Sequence, residues 1–420
     1  MRPWNKGSPF NVEISAMNVL VFLLIVIVIL GGGYAYIGWR LIASSNLPGP
    51  WNLIFWIVLI ILFVIPPIAF FLQINRVENT FTDFLAWASY LSMGFVSMVF
   101  TLLVFRDIIL MTSTGIQKLL LVAKEFFQST SLVALNADPG RREFLLQASN
   151  VAVIAGGGIL TGYGLYEARR KPAVIEVSVP VRNLPAEFEG FRILQVTDIH
   201  AGLTVKRPFV EMVAEQMEGI NADLIAMTGD LVDGSVRHLR EHVEPFRHLS
   251  APEGQFFITG NHEYYSGVDP WIEEVDRLGF TVLLNEHRVI RRGNVSLLLS
   301  GVTDYGAGDF DRLRPSDPAA SVEGAPATDV RILLAHQPRS IFAAQPFKFD
   351  LQISGHTHGG QFFPWNFLAA VGQPYISGLH KHGDTWIYVS KGTGYWGPPI
   401  RLAARSELTV LILTRDLPAA

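Results

Sequence analysis

The chain has 420 residues, of which 50% are hydrophobic and 17% charged, and its formal net charge is −4. Such a composition is too apolar for an ordinary soluble enzyme, and the acidic balance gives no basis for nucleic-acid binding. The chain contains 0 cysteines, which excludes disulfides, thiolate metal sites and lipoprotein attachment.

The first elements in chain order are four stretches without a charged residue, at 14–39, 51–75, 84–105 and 144–166. Each is long enough to cross a bilayer, which takes roughly 20 apolar residues. Trp39, Trp51 and Tyr166 lie near their ends, where aromatic belts occur. A buried soluble helix is the alternative for any one stretch, but four in one half of the chain favour membrane spans. Pro66-Pro67 predicts a kink in the second.

Residues 107–135 are apolar but carry Lys118, Lys124 and Glu125. We interpret this segment as an interfacial amphipathic helix, with a fifth span as the alternative. The predicted organisation is therefore 1–143 with three spans and this helix, 144–171 with the fourth span and a short charged linker, and 172–420 as a C-terminal domain.

The flank of the fourth span bears on topology. Arg141-Arg142-Glu143-Phe144-Leu145 resembles the twin-arginine export motif, although a positive flank that merely anchors the span would look similar. Lys and Arg divide about six to six between the two sides, so the positive-inside rule does not decide. The motif favours a multi-pass protein of the cytoplasmic (inner) membrane with an extracytoplasmic C-terminal domain; a cytoplasmic domain is the alternative.

The sequence of the C-terminal domain predicts strands that are followed by polar residues. Residues 174–181 alternate as a strand, a hairpin is predicted at 288–299, and late strands are predicted at 385–390 and 408–413. Five short apolar runs end just before Asp, Asn or His, at the point where open α/β sheets bind ligands. These polar residues are Asp198, His200, Asp230, Asn261, His262, His336, His356 and His358. One such fragment alone is ordinary, but imidazoles and carboxylates at five successive strand ends suit a hydrolytic Zn, Mn or Fe site.

The series Asp-x-His, Gly-Asp, Gly-Asn-His-Glu, His and Gly-His-x-His resembles the calcineurin-like metallophosphoesterase superfamily over roughly residues 174–414. The resemblance implies an α/β domain of two mixed sheets packed together, with helices outside, and two divalent metal ions. It implies one set of ligands for each ion: Asp198, His200 and His358 for the first, Asn261, His336 and His356 for the second, and Asp230 bridging both.

The resemblance also implies that His262 stands beside the metals as general acid and that Asp233 pairs with it. Two cations can share a water, lower its pKa and hold the phosphoryl oxygens, while a separate imidazole protonates the leaving oxygen. A solvated loop residue is the alternative for Asp233. Gly234-Ser235 stands where protein phosphatases of the superfamily carry an Arg, which argues against that branch, and Glu263 replaces the commoner Asp.

Aromatic residues surround the last motifs. They are Phe362, Phe363, Trp365, Phe367, Tyr395, Trp396, Tyr264 and Tyr265. Core packing is the ordinary interpretation of each, but as a group they could line an acyl-chain or membrane-facing rim. His380 and His382 are expected to be exposed residues and not ligands.

These observations together predict a membrane-anchored dimetal hydrolase. Its substrate would be a phosphodiester or pyrophosphate, lipid-linked or from the cell envelope, and its partners would include membrane lipids but no nucleic acid. The alternative is a multi-pass sensor or scaffold whose metal domain binds a phosphorylated ligand without turnover.

Overall fold

The computed structural model describes residues 28–45, 47–75, 77–127 and 139–415. The chain falls into two units, divided between Phe63 and Val64. The first unit contains helix α1 (Val28–Ala43) and the first part of α2 (Gly49–Ile74). Within this unit the Tyr34 hydroxyl donates to the carbonyl of Leu62 at 3.1 Å. Residues 14–27 of the first predicted span lie outside the described part of the chain.

Three helices in the described part are long and apolar enough to cross a membrane: α2, α3 (Thr80–Phe127) and α4 (Pro139–Arg169). α2 stays helical through Pro66 and Pro67. α4 runs three residues beyond the predicted span, which shortens the linker to 170–172.

α3 differs from the sequence prediction at its C-terminal half. Residues 107–127 form no separate helix but continue α3, which is 48 residues long. The physical reason is that Arg106 and Asp107 interrupt the apolar run without supplying a Pro or Gly that would end a helix. Residues 128–135 lie outside the described residues, and the interfacial position of 107–127 stays a prediction.

The C-terminal domain contains two six-stranded sheets. The first sheet consists of β1 (Ala173–Val181), β2 (Arg192–Val196), β3 (Leu224–Met227), β4 (Gln255–Phe257), β5 (Thr281–Val282) and β12 (Glu407–Arg415). The second consists of β6 (Glu286–Arg292), β7 (Val295–Gly301), β8 (Val330–Leu334), β9 (Leu351–Ser354), β10 (Gly378–His382) and β11 (Thr385–Val389). The predicted strand at 174–181, the hairpin (β6 and β7) and the late strands (β11 and β12) are confirmed.

Both sheets mix parallel and antiparallel pairs. The strand order is β1-β12-β2-β3-β4-β5 in one sheet and β10-β11-β9-β8-β7-β6 in the other. β2, β3 and β4 are mutually parallel, as are β7, β8, β9 and β11. Because parallel strands end at one edge of a sheet, the residues that follow β2, β3 and β4 share an edge of the first sheet, and those that follow β8 and β9 share an edge of the second. Where the two sheets pack together, these two edges can meet.

One apolar core lies between the two sheets. It includes Ile193 and Leu224 from the first sheet and Leu299 and Ile332 from the second, all fully buried. The strands that contribute to this core are continuous apolar runs because each strand is covered on both faces. The fold predicted from the sequence, a helical N-terminal region followed by an α/β domain with two mixed sheets, is confirmed.

Helices cover the outer face of the first sheet. The larger ones are α5 (Arg207–Glu218), α6 (Val236–Val243) and α8 (Val268–Arg277), and the stripe of Val210, Val213 and Met217 on α5 is buried against the sheet. Four short helices lie elsewhere in the domain: α7 (Asn261–Ser266), α9 (Ala307–Phe310), α10 (Ser340–Ala344) and α11 (Trp365–Gly372).

Candidate metal centre

The backbone is strained where the predicted ligands lie. Five of them have positive φ: Asp198 at 57°, His200 at 52°, Asp230 at 53°, His356 at 72° and His358 at 51°. Residues with a side chain seldom adopt this left-handed conformation, and each instance costs on the order of 1–3 kcal/mol. Such strain concentrated in one place indicates a functional constraint.

Two glycines in the same turns permit a close approach of backbone to carboxylate. A Cβ on Gly260 would collide with the Asp230 carboxylate, and one on Gly355 would collide with that of Asp198. Substitution at either position would therefore displace a predicted ligand.

The first ligand group is Asp198, His200 and His358, whose ligand atoms lie within 4.8 Å of one another. The Nε2 atoms of His200 and His358 are 3.0 Å apart, and His358 Nε2 is 3.6 Å from Asp198 Oδ1. His200 Nδ1 donates to Asp233 at 3.1 Å, which leaves its Nε2 lone pair for the group. All three side chains are buried, so a cation here would be shielded from water.

The second group is Asp230, His336 and His356, also within 4.8 Å. His336 Nδ1 donates to the Thr228 carbonyl at 2.7 Å, and its Nε2 is 3.3 Å from His356 Nδ1. Asn261 Oδ1 is buried and has no hydrogen-bond partner among the described residues. An unpaired buried acceptor is costly, and it fits an oxygen that would face a cation.

Asp230 lies between the two groups. Its Oδ2 is 3.1 Å from His336 Nε2 in one group and 3.8 Å from His200 Nε2 in the other. Its Oδ1 accepts from the backbone N–H of His262 at 2.9 Å, which orients the carboxylate. Burial alone would raise the pKa of Asp230, but the imidazoles of His336, His262 and His200 hold it well below its usual value. The group is therefore an anion facing both clusters.

Two of the predicted ligand imidazoles are in the neutral form that binds a cation. Burial lowers the pKa of His356 to about 3 and holds that of His358 well below its usual value, so both imidazoles are neutral at pH 7. Burial raises the pKa of Asp198. Burial would lower the pKa of His336, but the Asp230 carboxylate outweighs it and raises that pKa well above its usual value, so this imidazole would release a proton to a bound cation. Carboxylates, imidazoles and an unpaired amide oxygen, without thiolate, are donors that fit two divalent cations.

His262 and Asp233 form a pair beside these groups. His262 Nδ1 donates to Asp233 Oδ1 at 2.5 Å, and this carboxylate also accepts from His200. Asp233 is thus not a solvated loop residue. Burial disfavours the charged imidazole, but the carboxylates of Asp233 and Asp230 outweigh it and raise the pKa of His262 to about 9. His200, Asp233 and His262 also lie close enough to hold an ion, yet the short Nδ1–H···O contact marks a hydrogen-bonded pair.

Glu263 has a structural role that its sequence position did not reveal. Its buried carboxylate accepts from the backbone N–H groups of Gly260 at 2.6 Å, Asp230 at 3.0 Å and Leu231 at 2.8 Å. Burial and the nearby Asp230 carboxylate raise its pKa to about 7. Glu263 thereby ties the turn after β3 to the turn after β4. The signal available in the sequence was its place directly after His262 in the motif.

Arg401 was also missed. Its buried guanidinium donates to the carbonyl oxygens of Gly394 and Ala404, and its Nη2 is 3.2 Å from His358 Nδ1. Burial lowers its pKa to about 10. Arg401 supports the turn that carries His358, but it is 43 residues further along the chain, so local spacing could not reveal the contact.

Glu263→Gln should lower the free energy of unfolding of the domain by about 1–3 kcal/mol, because a Gln amide nitrogen would face at least one buried N–H donor. Chemical or thermal denaturation measures the loss. The exposed Glu273→Gln on α8 is the matched control and should leave stability unchanged. Equal stability of the two variants would show that Glu263 does not hold the two turns together.

The aromatic residues near the site divide into two sets. Phe362, Tyr395 and Tyr264 are buried, as core packing predicts. Phe363, Trp365, Phe367, Trp396 and Tyr265 are substantially exposed. His380 and His382 belong to neither ligand group; they are half-buried and not exposed as expected, because Tyr375 stacks on the first ring and donates to or accepts from Nδ1 of the second at 3.1 Å.

The fold and the two clusters define the class of protein. The family model for calcineurin-like phosphoesterases matches residues 191–360, which include every predicted ligand. Relatives support the match over longer stretches, and the chain belongs to the calcineurin-like phosphoesterase family, whose members use divalent metals.

Three relatives show how far the likeness extends. A "Transmembrane protein with metallophosphoesterase domain" of Danio rerio is 36% identical over 61% of this chain and 60% of its own length. An "Uncharacterized metallophosphoesterase" of Helicobacter pylori is 37% identical over 60% of this chain and 68% of its own. A third, from Campylobacter jejuni, is 30% identical over 94% of this chain and 99% of its own, so that match includes the N-terminal helices.

Proposed function

We propose that the protein is a membrane-anchored dimetal phosphoesterase that hydrolyses a phosphodiester or pyrophosphate bond in a lipid-linked or cell-envelope substrate. The observation that carries the proposal is the Asp230 carboxylate, which faces one imidazole of each ligand group while His262 lies beside it. A site built only to bind a phosphorylated ligand would not need a separate proton donor next to a shared carboxylate.

Each cation, whether Mn, Zn or Fe, would have its own ligands in this arrangement. Asp198, His200 and His358 would hold one, Asn261, His336 and His356 the other, and Asp230 both. When bound, the pair supplies Lewis acidity and a water of lowered pKa.

The chain itself supplies the proton. Asp233 accepts from His262 Nδ1 and keeps the imidazolium charged, so that Nε2 remains for the leaving oxygen. Burial of the carboxylates around the site keeps these charges fixed in position, which avoids reorganisation during the reaction.

The surroundings of His262 favour an amphiphilic substrate. The rings of Tyr265 and Trp396 lie 5.0 Å and 5.7 Å from the His262 ring, and both are about half exposed. Gly234-Ser235 stands where protein phosphatases carry an Arg, and the backbone N–H of Ser235 donates to Glu78 at 2.9 Å. The usual phosphate clamp of that branch is therefore lost, and this loop instead contacts the residues that precede α3.

Turnover separates the enzyme from the sensor or scaffold. Purified full-length protein should hydrolyse a chromogenic phosphodiester, lose this activity in a chelator, and regain it on addition of Mn²⁺ or Zn²⁺. Protein that holds two metals per chain and still does not turn over would favour the binding role. A screen against phospholipids and nucleotide-linked lipids, with His262→Ala as the inactive control, would then identify the ester.

We also propose that the protein resides in the cytoplasmic membrane with residues 172–420 outside the cytoplasm, after the spans and interfacial helix of 1–143 and the fourth span and linker of 144–171. The support is Arg141-Arg142 in the first turn of α4. A reporter fused after Ala420 should be active only if it is of the extracytoplasmic type. Replacing both arginines by Lys keeps the positive flank but removes the export motif, and should abolish that activity. An active cytoplasmic reporter would reverse the orientation.

A further inference from the structure

α11 is an apolar helix that exposes its largest side chains. Val371 is 87% exposed and Phe367 62%, and Phe363, just before the helix, is also exposed. Residues 362–374 contain no charged side chain. A soluble domain rarely leaves such a patch in water, so this surface needs a partner.

The segment is attached directly to the metal centre. Phe362, four residues after His358, is buried in a cluster with Ile400 and with Met98 of α3. Between His358 and Phe362 in the chain, Gln361 donates to the carbonyl oxygens of Trp396 and Pro398 at 3.0 Å and 2.8 Å. The start of α11 is therefore positioned by the same turn that carries a predicted metal ligand.

α11 lies against the middle of α3. The Trp365 indole N–H donates to Ser97 Oγ at 3.3 Å, and the ring of Phe363 is 5.6 Å from that of Phe105. Ser97 and Phe105 both lie within 84–105, the stretch of α3 that contains no charged residue.

The depth of this contact follows from α2. The Tyr90 hydroxyl of α3 is 3.3 Å from Gln73, which lies at the end of the α2 span, so Tyr90 marks the level at which that span ends. At 1.5 Å per residue, Ser97 lies about 10 Å further along α3, on the side of the hydrocarbon. At the N-terminal end of α3, a polar contact marks the side that faces water. There, Lys206 donates to Asp83 at 3.0 Å.

α4 provides a second boundary. Ile400, from the Phe362 cluster, lies against Gly94 of α3 and Gly164 of α4, and a Cβ on either glycine would collide with its side chain. Gly164 lies near the C-terminal end of the α4 span Glu143–Arg169. The domain therefore meets both helices within their membrane-compatible parts.

From this arrangement we infer that α11 and Phe363 insert into the lipid bilayer beside α3, where acyl chains cover their exposed apolar side chains. Lipid is favoured over a protein partner because the patch adjoins Phe105 of α3, which is itself half exposed at the end of the uncharged stretch 84–105. The insertion holds the metal centre at the membrane surface. This inference rests on the proposed function and makes it more specific. The scissile phosphate belongs to an amphiphile whose acyl chains remain in the bilayer.

The chain has 0 cysteines, so single Cys variants can be labelled selectively. Full-length Val371→Cys and Phe367→Cys, each carrying an environment-sensitive dye, are reconstituted in phosphatidylcholine–phosphatidylglycerol vesicles with acyl-chain nitroxide quenchers. Both dyes should be quenched as strongly as one at Ile159→Cys, an exposed position inside the α4 span. A dye at the exposed Asn294→Cys, in the β6–β7 turn away from the ligand edge, should not be quenched.

Each outcome decides the inference. Quenching at 367 and 371 no greater than at 294 overturns it, and so does protection from lipid quencher combined with bismaleimide crosslinking of 371 between two copies, which would make the patch a dimer interface. Hydrolysis of a water-soluble chromogenic diester by the same labelled protein reports the metal centre separately. Insertion without hydrolysis would count against the proposed function, and hydrolysis without quenching against insertion.

Discussion

Asp230→Asn should remove more bound metal than any other single ligand substitution. The Asp230 Oδ2 atom is 3.1 Å from His336 and 3.8 Å from His200, so one anion serves both groups. Asn keeps the shape and can still accept from the His262 N–H, but it carries no charge to offset two cations. Changing residues that merely support a metal ligand typically costs about 10–100-fold in affinity, and the loss of a shared ligand should exceed this.

Metal titration and elemental analysis of the purified variant measure the effect. Asn261→Ala, which touches only the second group, should lose one metal and keep the other. Asp384→Asn, whose side chain is 90% exposed, controls for the loss of one negative charge and should keep both. Two metals per chain and normal turnover in Asp230→Asn would show that Asp230 does not bridge.

His262→Ala should keep the metals and the thermal stability but lose turnover. The His262 imidazole donates to Asp233 and is charged at neutral pH, as a proton donor must be. General acid catalysis typically contributes about 10²–10⁴-fold, and kcat should fall by that order on an ester with a poor alkoxide leaving group. An activated phenolate leaves without a proton, so its ester should be hydrolysed almost as before.

The pH profile provides a second readout of the same role. The Asp233 carboxylate raises the pKa of His262, so Asp233→Asn should lower it. Because the acid form acts, activity on the alkoxide ester disappears as the pH rises through this pKa, and in Asp233→Asn the loss should begin at lower pH. His380→Ala, which changes a histidine outside both ligand groups, is the control. Equal loss on both esters together with missing metal would make His262 a ligand.

Much of the site could be predicted because its signals are local. The predicted ligands lie within a few residues of the end of a short apolar run, and a buried strand followed by a polar turn is visible in a few residues of sequence. The four uncharged stretches are equally local, and three of the resulting helices in the described part are long enough to cross a membrane. The family resemblance added the assignment of each predicted ligand to one of the two metals.

Helix boundaries were less predictable. The charges at Arg106 and Asp107 suggested the end of a span, yet α3 continues to Phe127. Charge changes the affinity of a segment for lipid, but it does not interrupt the backbone hydrogen bonds of a helix, and residues such as Arg and Lys have high helix propensity.

By itself, the sequence determined the positions of several strands along the chain, the apolar helices and the identity of the polar residues at the strand ends, because each depends on neighbours within a few positions. Only the tertiary structure decided that one oxygen of Asp230 faces both groups, that Glu263 and Arg401 support the ligand turns, and that α11 lies along α3. Arg401 meets His358 across 43 residues and Trp365 meets Ser97 across 268. Such contacts depend on how the two sheets and the helices pack, and no local pattern of side chains specifies that packing.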